Sequence, residues 1–206
     1  MTELFISAFV TLFVVIDPPG CAPIFAGLTA GASPRQTRGM AFRACLIAAL
    51  ILVVFALFGE KLLGALHIEL DSFRIAGGIM LFLVALEMVF ERRTERREKR
   101  AEELRATPEV EDVSVFPLAI PMIAGPGSIA TIMLLMSRAE GTPDTLAILA
   151  ALAAVMALSL VFLLAAGPMM RLVGARVEAV ITRLLGVLLA ALAAQYVVDG
   201  IRAVVG

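Results

Sequence analysis

Two short stretches, Ile16-Asp17-Pro18-Pro19-Gly20 and Ala124-Gly125-Pro126-Gly127, interrupt apolar segments that otherwise have the character of membrane-spanning helices. Each stretch places proline and glycine where a helix through a bilayer is expected to continue unbroken. Hydrocarbon offers no hydrogen bonds to backbone groups, so an interrupted span persists only where it is buried in protein or lines a cavity. A matched pair of interruptions, one in each half of a chain, indicates the substrate site of a transporter.

The composition places the chain among integral membrane proteins. It has 206 residues, of which 61% are hydrophobic, and its mean hydropathy is +0.99. A helix needs about 20 apolar residues to cross the hydrocarbon core. We therefore expect an all-α polytopic membrane bundle of six transmembrane helices with no soluble domain. The predicted spans are roughly Phe5 to Leu28, Ala44 to Phe58 with its flanks, Phe73 to Phe90, Phe116 to Met136, Leu146 to Met170 and Val180 to Val198.

The two halves of the sequence align with each other. A shift of 107 residues places Pro19-Gly20 on Pro126-Gly127, and a shift of 109 places Arg74 on Arg183. Each half holds three predicted spans. Because three is an odd number, the second half enters the membrane in the opposite orientation to the first.

The predicted organisation is therefore two inverted three-helix repeats, residues 1–90 and 113–206, with discontinuous first and fourth helices. Inverted repeats suit alternating access, because two equivalent packings open to opposite sides of the membrane. Residues 91–112 join the repeats as a charged cytoplasmic loop. This loop is either a solvated helical extension that fixes the topology or a basic cluster that binds anionic lipid headgroups.

Basic residues indicate the orientation, because cytoplasmic loops carry an excess of lysine and arginine. Thirteen of the seventeen basic residues follow the first, third and fifth spans. Those three loops are therefore expected to be cytoplasmic, and both termini are expected outside. The four basic residues on the opposite side are Lys61, Arg74, Arg138 and Arg202.

Asp17, in the first break, is the residue with the clearest functional potential. A carboxylate at mid-membrane depth is costly and usually faces a cavity or a partner. An aspartate before proline is also a natural helix start, with Asp17 as N-cap and Pro18 at the first helical position. The two roles are compatible. At the edge of a cavity the same carboxylate would contact a substrate ammonium, a proton or a sodium ion.

A helix is expected to restart after each break, with free N–H groups and the positive end of its dipole at its start. Such a start is suited to an anionic group such as a carboxylate. The alternative interpretation is a pair of proline kinks that only bend helices for packing. The predicted substrate-binding residues at these starts, besides Asp17, are Gly20, Gly125, Gly127, Ser128 and, one turn further, Thr131. Thr131 alternatively bonds its own helix.

Charged and polar residues near the ends of other spans are weaker candidates. Only twelve residues separate Arg74 from Glu87, which is short for a span, so the charged ends must snorkel or be sheltered in the bundle. We expect a structural role for Arg74, Glu87 and Arg183. Gln195 and Asp199 in the last span are candidates of the same kind.

Small residues elsewhere are expected to serve packing. Gly77, Gly78 and Gly186 would permit close helix crossing. Cys21 and Cys45 are too few and too badly spaced for a metal site or a disulfide framework. We interpret both cysteines as small apolar packing residues.

The breaks and their surroundings resemble a known family. The patterns Ile16-Asp17-Pro18-x-Gly20-x-x-Pro23-x-Phe25 and Pro121-x-x-Ala124-Gly125-Pro126-Gly127-x-Ile129, with six spans and a charged central loop, are similar to the MarC family of bacterial and archaeal inner-membrane proteins. Some members are regarded as neutral amino acid transporters. The resemblance implies a small-solute carrier in the cell inner membrane, with alanine, glycine and threonine as the substrate class. The helix-break prolines it implies are Pro18, Pro23 and Pro126, beside Pro19.

The sequence thus predicts a transporter of a small neutral amino acid that works by alternating access at a midplane site. Its transport would be coupled to H⁺ or Na⁺ or driven by the solute gradient, with no other cofactor and no metal. Expected partners are the small-molecule substrate, the lipid bilayer and a further copy of the chain, but no nucleic acid. The alternative is a non-transporting sensor, scaffold or channel-like protein. An enzyme is not expected, because the single histidine, His67, lies in a loop.

Overall fold

A computed structural model describes residues 2–92, 99, 112–166 and 174–205, without the side chains of 174–179. The described residues form seven α-helices and one irregular helical segment, and they contain no β-strand. The predicted all-α class is therefore confirmed. Most of the predicted loop at 91–112 and the predicted end of the fifth span lie outside the described residues. The elements are α1 (Thr2–Ile16), α2 (Pro18–Leu28), α3 (Pro34–Ala65), α4 (Leu70–Val89), the irregular segment (Ser114–Ile123), α5 (Pro126–Met136), α6 (Thr142–Leu164) and α7 (Gly174–Val205).

The helices are long and apolar enough for a multi-pass membrane protein. Five spans qualify among the described residues: α1 with α2, then α3, α4, α6 and α7. The irregular segment and α5 form a sixth if this pair, bent by 53°, is counted as one span. The chain therefore has five or six candidate spans.

The second span is longer than its apolar stretch predicted. Helix α3 covers 32 residues, Pro34–Ala65, and starts at a capping box. The Ser33 hydroxyl accepts the Gln36 N–H at 3.4 Å, and the Gln36 side-chain oxygen accepts the Ser33 N–H at 2.9 Å. These two bonds satisfy N–H groups that a helix start otherwise leaves unpaired. The predicted span began later in the sequence because the first turns of the helix are polar.

The broken spans lie between two groups of helices. One buried apolar cluster joins α1 and α2 to α3, α6 and the irregular segment, and a second joins the end of α1 and part of α5 to α4 and α7. In the most apolar window of the first span 56% of the residues are buried, compared with 28% in α4 and in α7. The first broken span is therefore an interior element, and α4 and α7 are peripheral.

Helices α4 and α7 make the most extensive helix–helix contact and run antiparallel. A Cβ added at Gly78 would lie 2.9 Å from the Ala193 carbonyl oxygen, and one added at Gly186 would lie 2.9 Å from the Met88 Cβ. Glycine at these positions lets the two backbones approach closely. The prediction of close helix crossing at Gly78 and Gly186 is confirmed.

The contacts between elements almost repeat when the two halves of the chain are exchanged. The α1 contact with α6 corresponds to the contact of the irregular segment with α3, and the α2 contact with α6 corresponds to that of α5 with α3. The α4–α5 contact likewise corresponds to the α7–α2 contact, and the α4–α7 and α3–α6 contacts correspond to themselves. Two of the smaller contacts break this pattern. The contacts that would correspond to α1–α7 and α5–α6 are weaker than these two.

Ion pairs account for the charged residues at the ends of the third helix of each half. Arg74 pairs with Asp71, one turn earlier in α4, at 2.7 Å, and Arg183 on α7 pairs with Glu91 just beyond α4. Each arginine therefore finds its partner near a helix end. These contacts agree with the structural role expected for Arg74 and Arg183.

A further ion pair lies where the irregular segment begins. Arg43 on α3 contacts the Asp112 carboxylate at 2.9 Å, and the Ser114 N–H donates to the same carboxylate at 2.9 Å. Burial acts to raise the pKa of the Asp112 carboxyl, but the hydrogen bonds from Ser114 and the charge of Arg43 outweigh it, so this pKa lies below its ordinary value. The carboxylate is therefore charged near neutral pH and fixes the start of the segment against α3.

We predict that Gly186→Ala destabilises the protein, whereas Gly39→Ala does not. A Cβ at Gly186 meets the Met88 Cβ and the Ala85 carbonyl, whereas a Cβ at Gly39 on α3 has no neighbour within 4 Å among the described residues. Overpacking costs about 1–3 kcal/mol, while alanine in an open helix position gains up to ~1 kcal/mol over glycine. Thermal unfolding in detergent should show a lower midpoint for Gly186→Ala only. Equal midpoints for both variants would contradict the α4–α7 packing.

Candidate functional site

The first break is confined to one residue. Asp17 has φ 58° and ψ 63°, the left-handed conformation, and helix α2 starts at the next residue, Pro18. A following proline disfavours the right-handed helical conformation, and aspartate is among the few residues that tolerate the left-handed one. The Asp17 carboxylate accepts the Gly20 N–H at 3.2 Å. The N-cap role expected for Asp17 is therefore present.

The start of α2 offers no free donor in its first turn. Pro18 and Pro19 lack an N–H, and the Gly20 N–H is bound to Asp17. The expectation of a free N–H at Gly20 is therefore wrong, because the chain supplies its own carboxylate. A side chain at Gly20 would overlap this carboxylate, so glycine is needed to accommodate the cap.

The second break is wider and has an irregular first half. Phe116 and Ile120 have φ and ψ near −127° and +127°, which interrupts the helical segment at two points. Both residues precede a proline, Pro117 and Pro121, and a residue in that position avoids the helical conformation. The break then continues through Ala124 to Gly125, the N-cap of α5. The predicted discontinuity in this span is present and more extensive than the Gly125-Pro126-Gly127 motif alone suggested.

Helix α5 begins without a side-chain cap. The Ile129 N–H reaches the Gly125 carbonyl at 3.0 Å, but among the described residues no oxygen accepts the N–H groups of Gly127 and Ser128. Two backbone donors at the start of a buried helix are thus available to a ligand. The Thr131 hydroxyl donates to the Gly127 carbonyl at 2.7 Å, so in this structure it bonds its own helix.

Each break contains a side-chain hydrogen bond of the same kind, and sequence reasoning missed both bonds. The Cys21 thiol donates to the Ile16 carbonyl at 3.6 Å, and the Ser128 hydroxyl donates to the Ile123 carbonyl at 2.7 Å. The 107-residue shift relates Ile16 to Ile123 and Cys21 to Ser128. In each break a side chain five residues later thus satisfies the last carbonyl before the interruption. The shift was visible in the sequence, but the role of Cys21 as a donor was not.

The same correspondence exposes a difference between the breaks. It relates Gly20 to Gly127 and Asp17 to Ala124. The first break therefore carries a carboxylate that binds its glycine N–H. At the corresponding sequence position the second break carries Ala124, which has only a methyl group and lies one residue before the N-cap Gly125. An acceptor for the Gly127 N–H has to come from elsewhere.

The structure brings the two breaks together. A Cβ added at Gly127 would lie 3.6 Å from Val15 Cγ1 in the last turn of α1, and 3.3 Å from Val84 Cγ2 on α4. Val15 is two residues before Asp17. The start of α5 therefore packs against the end of α1, and the acidic break and the uncapped break are neighbours in the interior of the bundle.

The region between the breaks is closed to solvent in this structure. Asp17 and Ser128 are each 2% exposed, and Thr131 is fully buried. Gly20, Gly125 and Gly127 are buried as well, whereas Pro126 is exposed and Pro23 lies inside α2. Val15 and Val84 cover the Cβ face of Gly127, so a solute on that face has to displace these side chains. Among the described residues, no three histidine, cysteine, aspartate or glutamate side chains are grouped to hold a metal ion.

The fold and the buried breaks define a multi-pass integral membrane protein with interrupted helices at its centre. The model of the MarC family integral membrane proteins matches residues 2–205, and the chain belongs to this family. The resemblance inferred from the break motifs is confirmed.

Relatives with similar levels of sequence identity to this chain occur in archaea and in bacteria. A UPF0056 membrane protein of Methanocaldococcus jannaschii is 36% identical over 201 residues, covering 97% of either chain. The UPF0056 inner membrane protein YhgN of Escherichia coli is 36% identical over 202 residues, covering 98% of each chain, and YvbG of Bacillus subtilis is 33% identical over 98% of this chain and 96% of its own. No solved structure matches the chain.

We predict that Asp17→Ala lowers the free energy of unfolding by about 1 kcal/mol, the usual effect of losing an N-cap. Asp17→Asn should lower it much less. The asparagine carbonyl oxygen can still accept the Gly20 N–H. Thermal unfolding of the two purified variants beside the wild type checks this. An equal loss for both would show that the charge, rather than the cap, stabilises the break.

Proposed function

We propose that the chain is a secondary transporter of small neutral amino acids such as alanine and glycine. It works by alternating access at a site between the two breaks. The observation that carries the proposal is the contact between Gly127 and Val15, which joins an uncapped helix start to a break that contains a carboxylate. A zwitterion needs such a pair of groups, a donor for its carboxylate and an acceptor for its ammonium.

The first break supplies a template for binding the substrate carboxylate. The Asp17 carboxylate takes the Gly20 N–H there. At the second break the corresponding position is Ala124, and the Gly127 and Ser128 N–H groups have no acceptor among the described residues. The substrate carboxylate would take at Gly127 the place that the Asp17 carboxylate takes at Gly20. The helix dipole of α5 favours a negative charge at that point.

The Asp17 carboxylate would meet the substrate ammonium or a coupled H⁺ or Na⁺. One of its oxygens accepts the Gly20 N–H, and a carboxylate has further lone pairs for a cation. A carboxylate at this depth in the bundle is costly, and a bound cation would stabilise it. Asp17 would thereby favour solutes that carry an ammonium group.

The packing around Gly127 favours small side chains. Val15 and Val84 fill the face of the glycine, and the nearest atoms to an added Cβ lie at 3.3–3.6 Å. A solute placed there must displace these side chains, and each added methylene increases that displacement. This supports the alanine and glycine class over larger neutral amino acids.

The arrangement of the helices supports alternating access. The broken spans lie between two helix groups, α3 with α6 and α4 with α7. Antiparallel α4 and α7 and the exchange of contacts between the halves support two inverted repeats, 1–90 and 113–206. Rocking of one group against the other would expose the breaks to either side. The excess of basic residues after the first, third and fifth spans supports both termini outside the cytoplasm.

Purified protein in liposomes should accumulate or exchange labelled alanine or glycine. We expect Asp17→Asn to fold normally and to lower this flux by about 10- to 100-fold, because a hydrogen bond to a charged group contributes about 1.5–3 kcal/mol. Flux should be measured over a series of pH and sodium concentrations. Absence of flux from folded wild-type protein would remove the transport proposal. Wild-type flux in Asp17→Asn under all conditions would reduce Asp17 to a helix cap.

We predict that Ala124→Asn abolishes flux while the protein stays folded. The asparagine oxygen would cap the Gly127 N–H as Asp17 caps the Gly20 N–H, and it would thereby exclude the substrate carboxylate. Size-exclusion chromatography and thermal unfolding serve as the folding controls. If the buried amide prevents folding, Ala124→Ser makes the same comparison with a shorter side-chain oxygen. A folded variant with wild-type flux would contradict carboxylate binding at α5.

A further inference from the structure

A cavity of about 270 Å³ opens at the end of the bundle that carries the loops 66–69 and 137–141. It forms where the last turns of α3 diverge from the start of α4 and α6 around the end of α5. Ligand pockets for drug-sized molecules span about 300–1,000 Å³, so this cavity suits a smaller solute. Residues that line it include Ala56, Glu60, Met133, Met136, Ser137 and Thr145.

The polar groups of the cavity are acidic or neutral. Glu60 contributes a carboxylate, and Ser137 and Thr145 contribute hydroxyl groups. Lys61, the next residue, does not line the cavity, and its ammonium lies 5.8 Å from the centre of the Phe58 ring. Within the described part of the chain no basic side chain pairs with Glu60. The cavity therefore offers a carboxylate and hydroxyls to a cationic group.

Helix α5 connects this cavity to the second break. The helix starts at Pro126 beside the break, and its last turn lines the cavity. The Met133 side chain forms part of the cavity wall and crosses Gly59 of α3, where an added Cβ would lie 2.8 Å from Met133 Cγ. Nearer to the break, Ser128 and Thr131 are buried. Met133 is a flexible, unbranched side chain, and of the α5 residues that line the cavity it is the nearest along the helix to the break.

We propose that this cavity is an entry site that binds small ammonium-bearing solutes through Glu60, before they pass Met133 towards the breaks. The passage towards the breaks rests on the proposed function, but binding in the cavity does not. Amino acids carry the required ammonium group, whereas monocarboxylates of the same size lack it. The cavity thus adds a selection for ammonium ahead of the site at the breaks.

Thiol labelling of Ser137→Cys tests the site without measuring transport. Ser137 is partly exposed, whereas the native Cys21 and Cys45 are buried, so unmodified wild type reports the background. We expect a cationic methanethiosulfonate to react with Ser137→Cys about three- to fivefold faster than an anionic one, as suits one exposed carboxylate. Alanine should slow the labelling, and propionate should not.

Glu60→Gln and Glu3→Gln in the Ser137→Cys protein form a matched pair. Glu3 is exposed at the start of α1, at the same end of the bundle, and does not line the cavity. Glu60→Gln should remove both the charge preference and the protection by alanine, and Glu3→Gln should preserve both. No labelling, protection by propionate equal to that by alanine, or equal effects of the two variants would overturn the entry site. Liposome flux with an unchanged KM in Glu60→Gln would overturn it as well and would leave the transport proposal intact.

Discussion

Backbone hydrogen bonding in a hydrocarbon solvent is the constraint on which this structure depends. Three prolines, at positions 18, 19 and 23, remove donors from the first span, and prolines at positions 117, 121 and 126 do so in the span that contains α5. Lipid cannot replace those bonds, so both interrupted elements have to be sheltered by other helices. This requirement explains why α3 with α6 and α4 with α7 enclose the broken spans and why the breaks meet.

The two breaks solve the same problem with different chemistry. In each, a side chain five residues later, Cys21 or Ser128, donates to the last carbonyl before the interruption. Only the first supplies a carboxylate for its helix start, because Ala124 stands where the correspondence would place an acid. The asymmetry leaves, on neighbouring elements, an acid and two N–H groups that no oxygen of the described residues accepts. A small zwitterion complements that pair of groups.

Local sequence patterns predicted the broken spans, the cap at Asp17 and the close crossing at Gly78 and Gly186, because proline, glycine and aspartate act on their own backbone. The irregular conformation of Phe116 and Ile120 could also have been predicted, since each residue precedes a proline. It was not predicted, because the apolar sequence there indicated a continuous span. The bond from the Gly20 N–H to Asp17 was also accessible, since an N-cap binds N2 or N3 and Pro19 has no N–H. The packing of Val15 against Gly127 was not accessible, because it depends on side-chain placement in three dimensions that residue spacing does not specify.

The central claim is that the breaks form one site that opens for a small amino acid. A disulfide between Val15→Cys and Gly127→Cys tests it most directly. Val15 Cγ1, near the place that a cysteine Sγ would take, lies 3.6 Å from an added Cβ at Gly127, which puts the two thiols within reach of each other. With a protease site placed in the loop 91–112, oxidation in native membranes should keep the two fragments joined, and alanine should slow the cross-link. Variants that carry only one of the two substitutions, and so keep the native Cys21 and Cys45, should give none. Fragments that never join, or a cross-linking rate indifferent to alanine, would contradict the account.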